Sequence, residues 1–353
     1  MRRHGTLAFL GAMAILLGAL GVRAQLRAPI VHAAQTWAVQ VGANVDLTNG
    51  VTANAFFPAT ITIDAGDTVG WSFPSVEPHT VTFDNGTNPP LEVSGRVKDL
   101  AAGTLEYSRL FNPLNANGPN QAFDSKVQVS SGVPSEPPDE RTPFTLSFAQ
   151  AGVYYYVCSI HGRDMSGTVT VQPAGAALAE APAQATARGQ SDLSGAVAYS
   201  AGFFTGNPPR DAAAATPSVH NIDAGASHGG GISLYQFLSR DITVHRGDTV
   251  VWTNASPDSA HTITFLSGGT EPQMTNIVPQ AGGAPKLVRP ANVYSLSGGT
   301  TYTGQGYLNS GFMPAGGSFA AVVDAPPGQY EYVCLLHAIE APWNMKGTIT
   351  VTQ

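Results

Sequence analysis

Cys158 and His161 are followed at once by Met165, and Cys334, His337 and Met345 repeat the set near the end of the chain. A thiolate, an imidazole and a thioether so close together form a donor set suited to copper. Soft sulfur ligands hold the cuprous ion, and imidazole accepts either oxidation state. Each set is one imidazole short. His79, in His79-Thr-Val-Thr-Phe83 after Trp71, and His261, in His261-Thr-Ile-Thr-Phe265 after Trp252, are the expected fourth donors. Two histidines, a thiolate and a weak axial thioether suit one-electron chemistry, because a rigid trigonal set is a compromise that both oxidation states tolerate.

Such donors need stiff elements to hold them, and the hydrophobic pattern supplies strands. Ile61, Ile63, Val69, Trp71, then Val81 and Phe83, then Val153, Tyr155 and Val157 alternate with other residues and are broken by Gly-Asp and Pro-Gly turns. That period-two pattern predicts short half-buried strands, and no segment shows helical periodicity over several turns. The chain also matches itself. Ile61 to Trp71 aligns with Ile242 to Trp252, Gly152 to Cys158 with Gly328 to Cys334, and Phe123 with Ser131-Gly132 keeps the spacing of Tyr302 with Ser310-Gly311. A repeat of this size is a duplicated globular module rather than a solenoid unit. The expected fold class is all-β, two tandem Greek-key sandwiches.

Both modules resemble the plastocyanin/azurin family of blue copper proteins, the cupredoxins. The resemblance rests on His79, Cys158-x2-His161-x3-Met165 with Gly167-Thr-Val, and on His261, Cys334-x2-His337-x7-Met345 with Gly347-Thr-Ile. It implies two cupredoxin-like domains, each with one type 1 copper ion, on His79, Cys158, His161 and Met165 and on His261, Cys334, His337 and Met345. It also implies electron exchange with redox protein partners that dock over apolar patches around His161 and His337. Ile160 and the group Leu335, Leu336, Ile339, Pro342 and Trp343 would form those patches. The second module departs from the family in loop length, with Ile339 to Asn344 inserted before Met345. Thr80 and Thr262, directly after the first histidines, are expected to brace the cysteine loops through their hydroxyls.

Residues 1–24 have the layout of a secretory signal, with Arg2-Arg3, an apolar run from Leu7 to Val22, and cleavage expected after Ala24. The expected location is periplasmic or extracellular, or the membrane surface if the signal stays attached. Residues 25–173 and 216–353 are the expected domains. Residues 174–215, within an Ala/Pro/Gly-rich stretch that begins at Pro173, read as a linker with nothing to bury. Tyr199, Phe203 and Phe204 leave open an extra strand there. The net charge of −7 disfavours nucleic acid and anionic membranes. The two cysteines stand in matching motifs and read as two thiolate ligands rather than one disulfide.

Tandem cupredoxin domains also build multicopper oxidases and copper nitrite reductases, which use His-x-His pairs and a histidine beside the cysteine. Here Val157 and Ser159, and Val333 and Leu335, flank the cysteines. His32, His220, His228 and His245 are scattered and read as surface or turn residues. Copper storage or delivery would call for Met-rich or His-rich tracts, which the chain lacks. The expected role is therefore an electron carrier without a small-molecule substrate. The long spans 84–143 and 266–318 are expected to shape a site or an interface.

Overall fold

The structure, a computed structural model, describes residues 33–83, 103–106, 121–206, 217–228, 231–274, 276–281, 283–338 and 344–353. The proposed signal, His32, and Ile339, Pro342 and Trp343 of the proposed docking patch lie outside the described residues. So does much of the first long span.

The N-terminal half contains β1 (Thr36–Asp46), β2 (Val51–Phe57), β3 (Thr60–Asp64), β4 (Thr68–Ser72), β5 (Thr82–Phe83), β6 (Gly103–Glu106), β7 (Gln121–Ala122), β8 (Val129–Ser130), β9 (Phe144–Ser147), β10 (Gly152–Cys158) and β11 (Gly162–Gln172). The C-terminal half contains β12 (Val219–His228), β13 (Ile232–Leu238), β14 (Asp241–His245), β15 (Thr249–Asn254), β16 (Thr264–Phe265), β17 (Asn276–Gln280), β18 (Gly283–Arg289), β19 (Thr301–Tyr302), β20 (Leu308–Asn309), β21 (Ser318–Val323), β22 (Gly328–Val333) and β23 (Lys346–Thr352). Alternation of exposed and buried residues, unbroken in β21 and β23, is what makes these segments two-faced strands.

Each half is a sandwich of two sheets. One runs β2-β1-β4-β9-β7 and the other β3-β11-β10-β5-β8; in the second half β13-β12-β15-β21-β19 faces β14-β23-β22-β16-β20. Every strand has its counterpart in the same place. Aromatic rings fill the space between the sheets, with Trp71 against Phe83 and Tyr156, and Trp252 against Phe265 and Tyr332. The repeated Gly-Asp turn is also explained. Asp67 accepts from the N–H groups of Gln35 and Asp64 and from the Trp37 indole, and Asp248 accepts from Ser218, His245 and the His220 ring. His220 is thus a buried turn anchor, not a surface residue.

The two halves are joined edge to edge. β2 and β13 pair antiparallel, so the two larger faces become one sheet of ten strands. The long spans also meet, in a separate three-stranded sheet β17-β18-β6, where β6 from the first pairs antiparallel with β18 from the second.

The linker reading needs correction, because Pro182–Gly206 is an α-helix of 25 residues. Ala185 is wholly buried, and Leu193, Ala196 and Val197 pack on Ala43, Ala53, Phe57 and Ile232 beside the β2–β13 seam. Proline is well placed at the first helical position, and alanine is the best helix former. The helix was illegible in the hydrophobic pattern because its packed face sets only Leu193 and Val197 among alanines and a glycine. Gly189 sits where a Cβ would come within 2.6 Å of the Phe57–Pro58 backbone. Tyr199 belongs to this helix and stacks on His228 at 4.6 Å.

Candidate metal centres

The four residues predicted for each centre come from separate parts of each half, and folding gathers three of them into one cluster. His79 precedes β5, Cys158 ends β10, and His161 lies in the tight turn to β11. His261 is bridged to Met313 before β16, while Cys334 and His337 follow β22. The donor atoms of His79, Cys158 and His161 all lie within 4.8 Å of one another, as do those of His261, Cys334 and His337. Among the described residues these are the two groups of histidine, cysteine and carboxylate donors with metal-site spacing.

The first cluster fits a metal ion closely. Its edges are 3.2 Å between the two imidazole Nδ1 atoms, 3.4 Å from Cys158 Sγ to His161 Nδ1 and 4.0 Å from Sγ to His79 Nδ1. A triangle with those edges has its centre about 2.1 Å from each corner, the length of a metal–nitrogen bond. In the second cluster Cys334 Sγ lies 3.7 Å from His261 Nδ1 and 3.4 Å from His337 Nδ1. Lone pairs converging in a buried space repel one another unless a cation or a proton sits among them.

Met165 and Met345 are wholly buried in the same packed clusters as Cys158 and Cys334. The longer second loop does not carry Met345 away. Its carbonyl accepts from the Cys334 N–H at 3.0 Å, and its own N–H donates to the His337 carbonyl at 2.9 Å.

Supporting contacts fix the donors. The backbone N–H groups of Thr80 and Thr262 each lie 3.4 Å from the cysteine sulfur. Their hydroxyls accept from the N–H of Ser159 at 2.7 Å and of Leu335 at 2.8 Å, the expected brace to the cysteine loop. Thr262→Val is expected to leave the Leu335 N–H without its acceptor, costing about 1–3 kcal/mol, and to shift the reduction potential of the copper-loaded centre. A denaturation midpoint and a potential both unchanged would make Thr262 a strand former and nothing more.

Sequence reasoning missed two glycines under the first histidines. Gly42 and Gly225 have left-handed backbones, φ 68° and 72°, and a Cβ on either would lie 2.3 Å from His79 Nε2 or 2.2 Å from His261 Nε2. The repeated Gly42-Ala43 and Gly225-Ala226 pairs were the signal in the sequence. It missed Glu77 and Tyr235 as well. Glu77 Oε1 lies 3.4 Å from His161 Nε2, and the Tyr235 ring stacks on His337 at 4.0 Å.

These neighbours give the two centres different electrostatics. Burial and the nearby His161 hold His79 well below the usual imidazole range. Burial alone would raise the Cys158 thiol and lower His161, but their mutual attraction and the Glu77 carboxylate outweigh it, so the thiol is lowered and the imidazole raised. In the second centre burial dominates. Cys334 is pushed up to about 11, His261 down to about 4, and His337 well below its usual value.

The His261 shift has a pH signature. Below the ordinary value of 6.5 the unfolded chain takes a proton that the folded, metal-free protein refuses until about pH 4. This residue therefore removes roughly 3 kcal/mol of stability as pH falls through that window. Denaturation of the metal-free protein is expected to show a steeper acid loss than that of His261→Gln; equal losses would show that His261 is not held neutral.

A profile of copper binding proteins of the plastocyanin/azurin family matches residues 43–172. Plastocyanin of Nostoc punctiforme is 32% identical over 140 residues, spanning 39% of this chain and 76% of that protein. The chain belongs to the plastocyanin/azurin family of copper-binding proteins. The chloroplastic plastocyanin of Tetradesmus obliquus is 31% identical over 131 residues, covering 37% of this chain and 67% of its own. Among solved structures, oxidized plastocyanin of Dryopteris crassirhizoma aligns over 38% of this chain and 99% of its own, at 20% identity and a TM-score of 0.23. The family and the two His–Cys–His clusters support copper as the metal and electron transfer as the chemistry.

Among the described residues of the predicted docking patches, Leu335 is buried and Ile160 and Leu336 are half-buried. His161 and His337 are each only 4% exposed. Leu335 packs with Val293, Val333 and Ala338, while Ile160 and Leu336 lie against the cores.

Proposed function

We propose that this protein is an exported one-electron carrier with two type 1 copper centres. One is held by His79, Cys158, His161 and Met165, and the other by His261, Cys334, His337 and Met345. The domains that carry them would span residues 25–173 and 216–353. The single observation behind this reading is the pair of buried donor triangles preformed on rigid strands. Bound copper supplies a reversible one-electron change between its cuprous and cupric forms.

The chain's own residues keep the cost of that change small. Cysteine and histidine side chains are locked by threonine braces, by the Met345 backbone bonds and by close-packed rings, so the donors hardly move when the charge changes. Burial excludes water and small oxidants. An oxidase or reductase reading has less support. It needs a histidine beside the cysteine to wire a second centre, and valine, serine and leucine stand there. Among the described residues no helix is long and apolar enough to cross a membrane. Export rests on the layout of residues 1–24, and redox proteins are the expected partners.

The test is copper reconstitution of the intact protein with metal counting and visible spectroscopy. Two copper equivalents with intense thiolate-to-copper colour are expected. Colourless binding would overturn the type 1 assignment. Oxygen consumption or nitrite reduction at enzymatic rates would overturn the carrier reading.

A further inference from the structure

The Tyr235 side chain lies against the second donor cluster. Its ring stacks on the His337 imidazole, with 4.0 Å between ring centres and 12° between planes, and meets the His261 ring edge-on at 6.0 Å and 66°. One buried ring thus bears on both histidine donors of that centre. A tyrosine side chain has few rotatable bonds, so whatever fixes its hydroxyl also fixes the plane of the ring against His337. The hydroxyl lies 3.1 Å from Ser259 Oγ and accepts a hydrogen bond at 2.8 Å from Asn54 Nδ2, a residue of the first half.

Asn54 is itself held in one orientation. Its Nδ2 also donates to Asp258 Oδ2 at 3.0 Å and lies 3.2 Å from Ser233 Oγ, while Asp258 accepts from the Ser227 and Ser233 hydroxyls. An amide turned over would set its carbonyl oxygen, which cannot donate, against the Asp258 carboxylate. Hydrogen bonds to a charged acceptor are the stronger kind, so Asp258 anchors Asn54 and Asn54 anchors the tyrosine. Asn54, Ser233, Tyr235 and Ser259 are all buried, where a lost partner is not replaced by water. The link exists only because the halves join. Thr52 pairs with Ser233 across the seam, opposite Asn44 in β1 as Ser233 is opposite Ser227 in β12, so Asn54 stands in β2 where Tyr235 stands in β13. The same position of the duplicated module carries an amide in one half and a ring in the other, and the two meet.

We propose that Asn54 of the first half is a positioning residue for the second metal centre, holding the Tyr235 ring flat against His337 and so setting that centre's reduction potential. The proposal rests on the copper reading above and deepens it. Oxidation of the centre adds positive charge that its imidazoles share, and the face of an aromatic ring carries negative charge that responds to it. A ring free to tilt presents a different face and lets the imidazole turn with it. The first half therefore tunes the second centre through a hydrogen bond, touching no donor atom.

The test uses the copper-loaded full chain, with the second centre read alone in Cys158→Ser and the first alone in Cys334→Ser. Asn54→Leu removes the donor at similar volume. At a fixed applied potential it is expected to change the cupric-to-cuprous ratio of the second centre by about threefold or more, the low end of couplings between residues in contact, and to alter the paramagnetic-resonance signature. Tyr235→Phe keeps the ring and loses only the hydroxyl, so it should act in the same way. The two substitutions together should do no more than the larger one alone, because they break one link. Copper content and colour report whether each variant is folded, and Tyr235→Phe decides the matter if Asn54→Leu does not fold. A coloured second centre unmoved in potential and signature by Tyr235→Phe overturns the positioning role, as does an Asn54→Leu shift that persists undiminished in the Tyr235→Phe background. Shifts of equal size at the first centre would mean general loosening and overturn it too. All of these leave the copper reading standing, whereas the absence of coloured copper from the Cys158→Ser chain overturns both proposals.

Discussion

Cys158→Ser and Cys334→Ser are each expected to abolish one of two coloured copper centres and to leave the other intact. The thiolate supplies both the strong bond and the colour. A serine hydroxyl ionises far above the range of a thiol and cannot replace it as an anionic soft ligand. Copper content should fall from two equivalents to one in each variant, and the intense visible absorption to roughly half. Both cysteines are free and buried in separate cores, so neither substitution breaks a disulfide. If one substitution removed both colours, or neither did so, the assignment of one thiolate to each half would fail.

Gly225→Ala should cost nearly as much while touching no donor atom. The new methyl would lie 2.2 Å from His261 Nε2 and 2.4 Å from Ser256 Oγ, and both are enclosed by packed strands. Left-handed backbone costs an alanine about 1–2 kcal/mol, and overpacking adds about 1–3 kcal/mol. More important, the imidazole must turn, which takes Nδ1 out of the donor triangle. Loss of colour from the second centre is expected, with a fall of roughly 2–5 kcal/mol in stability. Gly247→Ala is the control, since that glycine also has a positive φ, 95°, but a Cβ there meets nothing within 4 Å. It should lose only the backbone part and keep both colours. Equal loss of colour in the two variants would show that strain, not the clash with His261, is responsible.

Much of the fold was legible because it is written twice. The match of Phe123 and Ser131-Gly132 to Tyr302 and Ser310-Gly311 corresponds to real contacts. Phe123 packs on Phe83 and Tyr302 on Phe265, while Ser131 and Ser310 accept from the N–H groups of Val81 and Ile263, each at 2.9 Å. The threonine braces were also predicted, because a hydroxyl next to a ligand on a strand end has few other places to reach. The helix was not. Its packed face mixes the small Ala185, Gly189 and Ala196 with only Leu193 and Val197, too few large residues to stand out in a hydrophobic pattern.

By itself the sequence picked out the histidine and cysteine donors that meet in each half. Soft and borderline donors at repeated spacings on alternating strands mark them, because local backbone geometry sets which side chains share a face. Only the tertiary structure decided how the halves meet. Edge-strand pairing is made by backbone groups common to all residues, so β2 and β13 carry no distinctive side-chain signature for it. That pairing brings Asn54 of the first half against Tyr235 and Asp258 of the second, contacts that neither module shows alone.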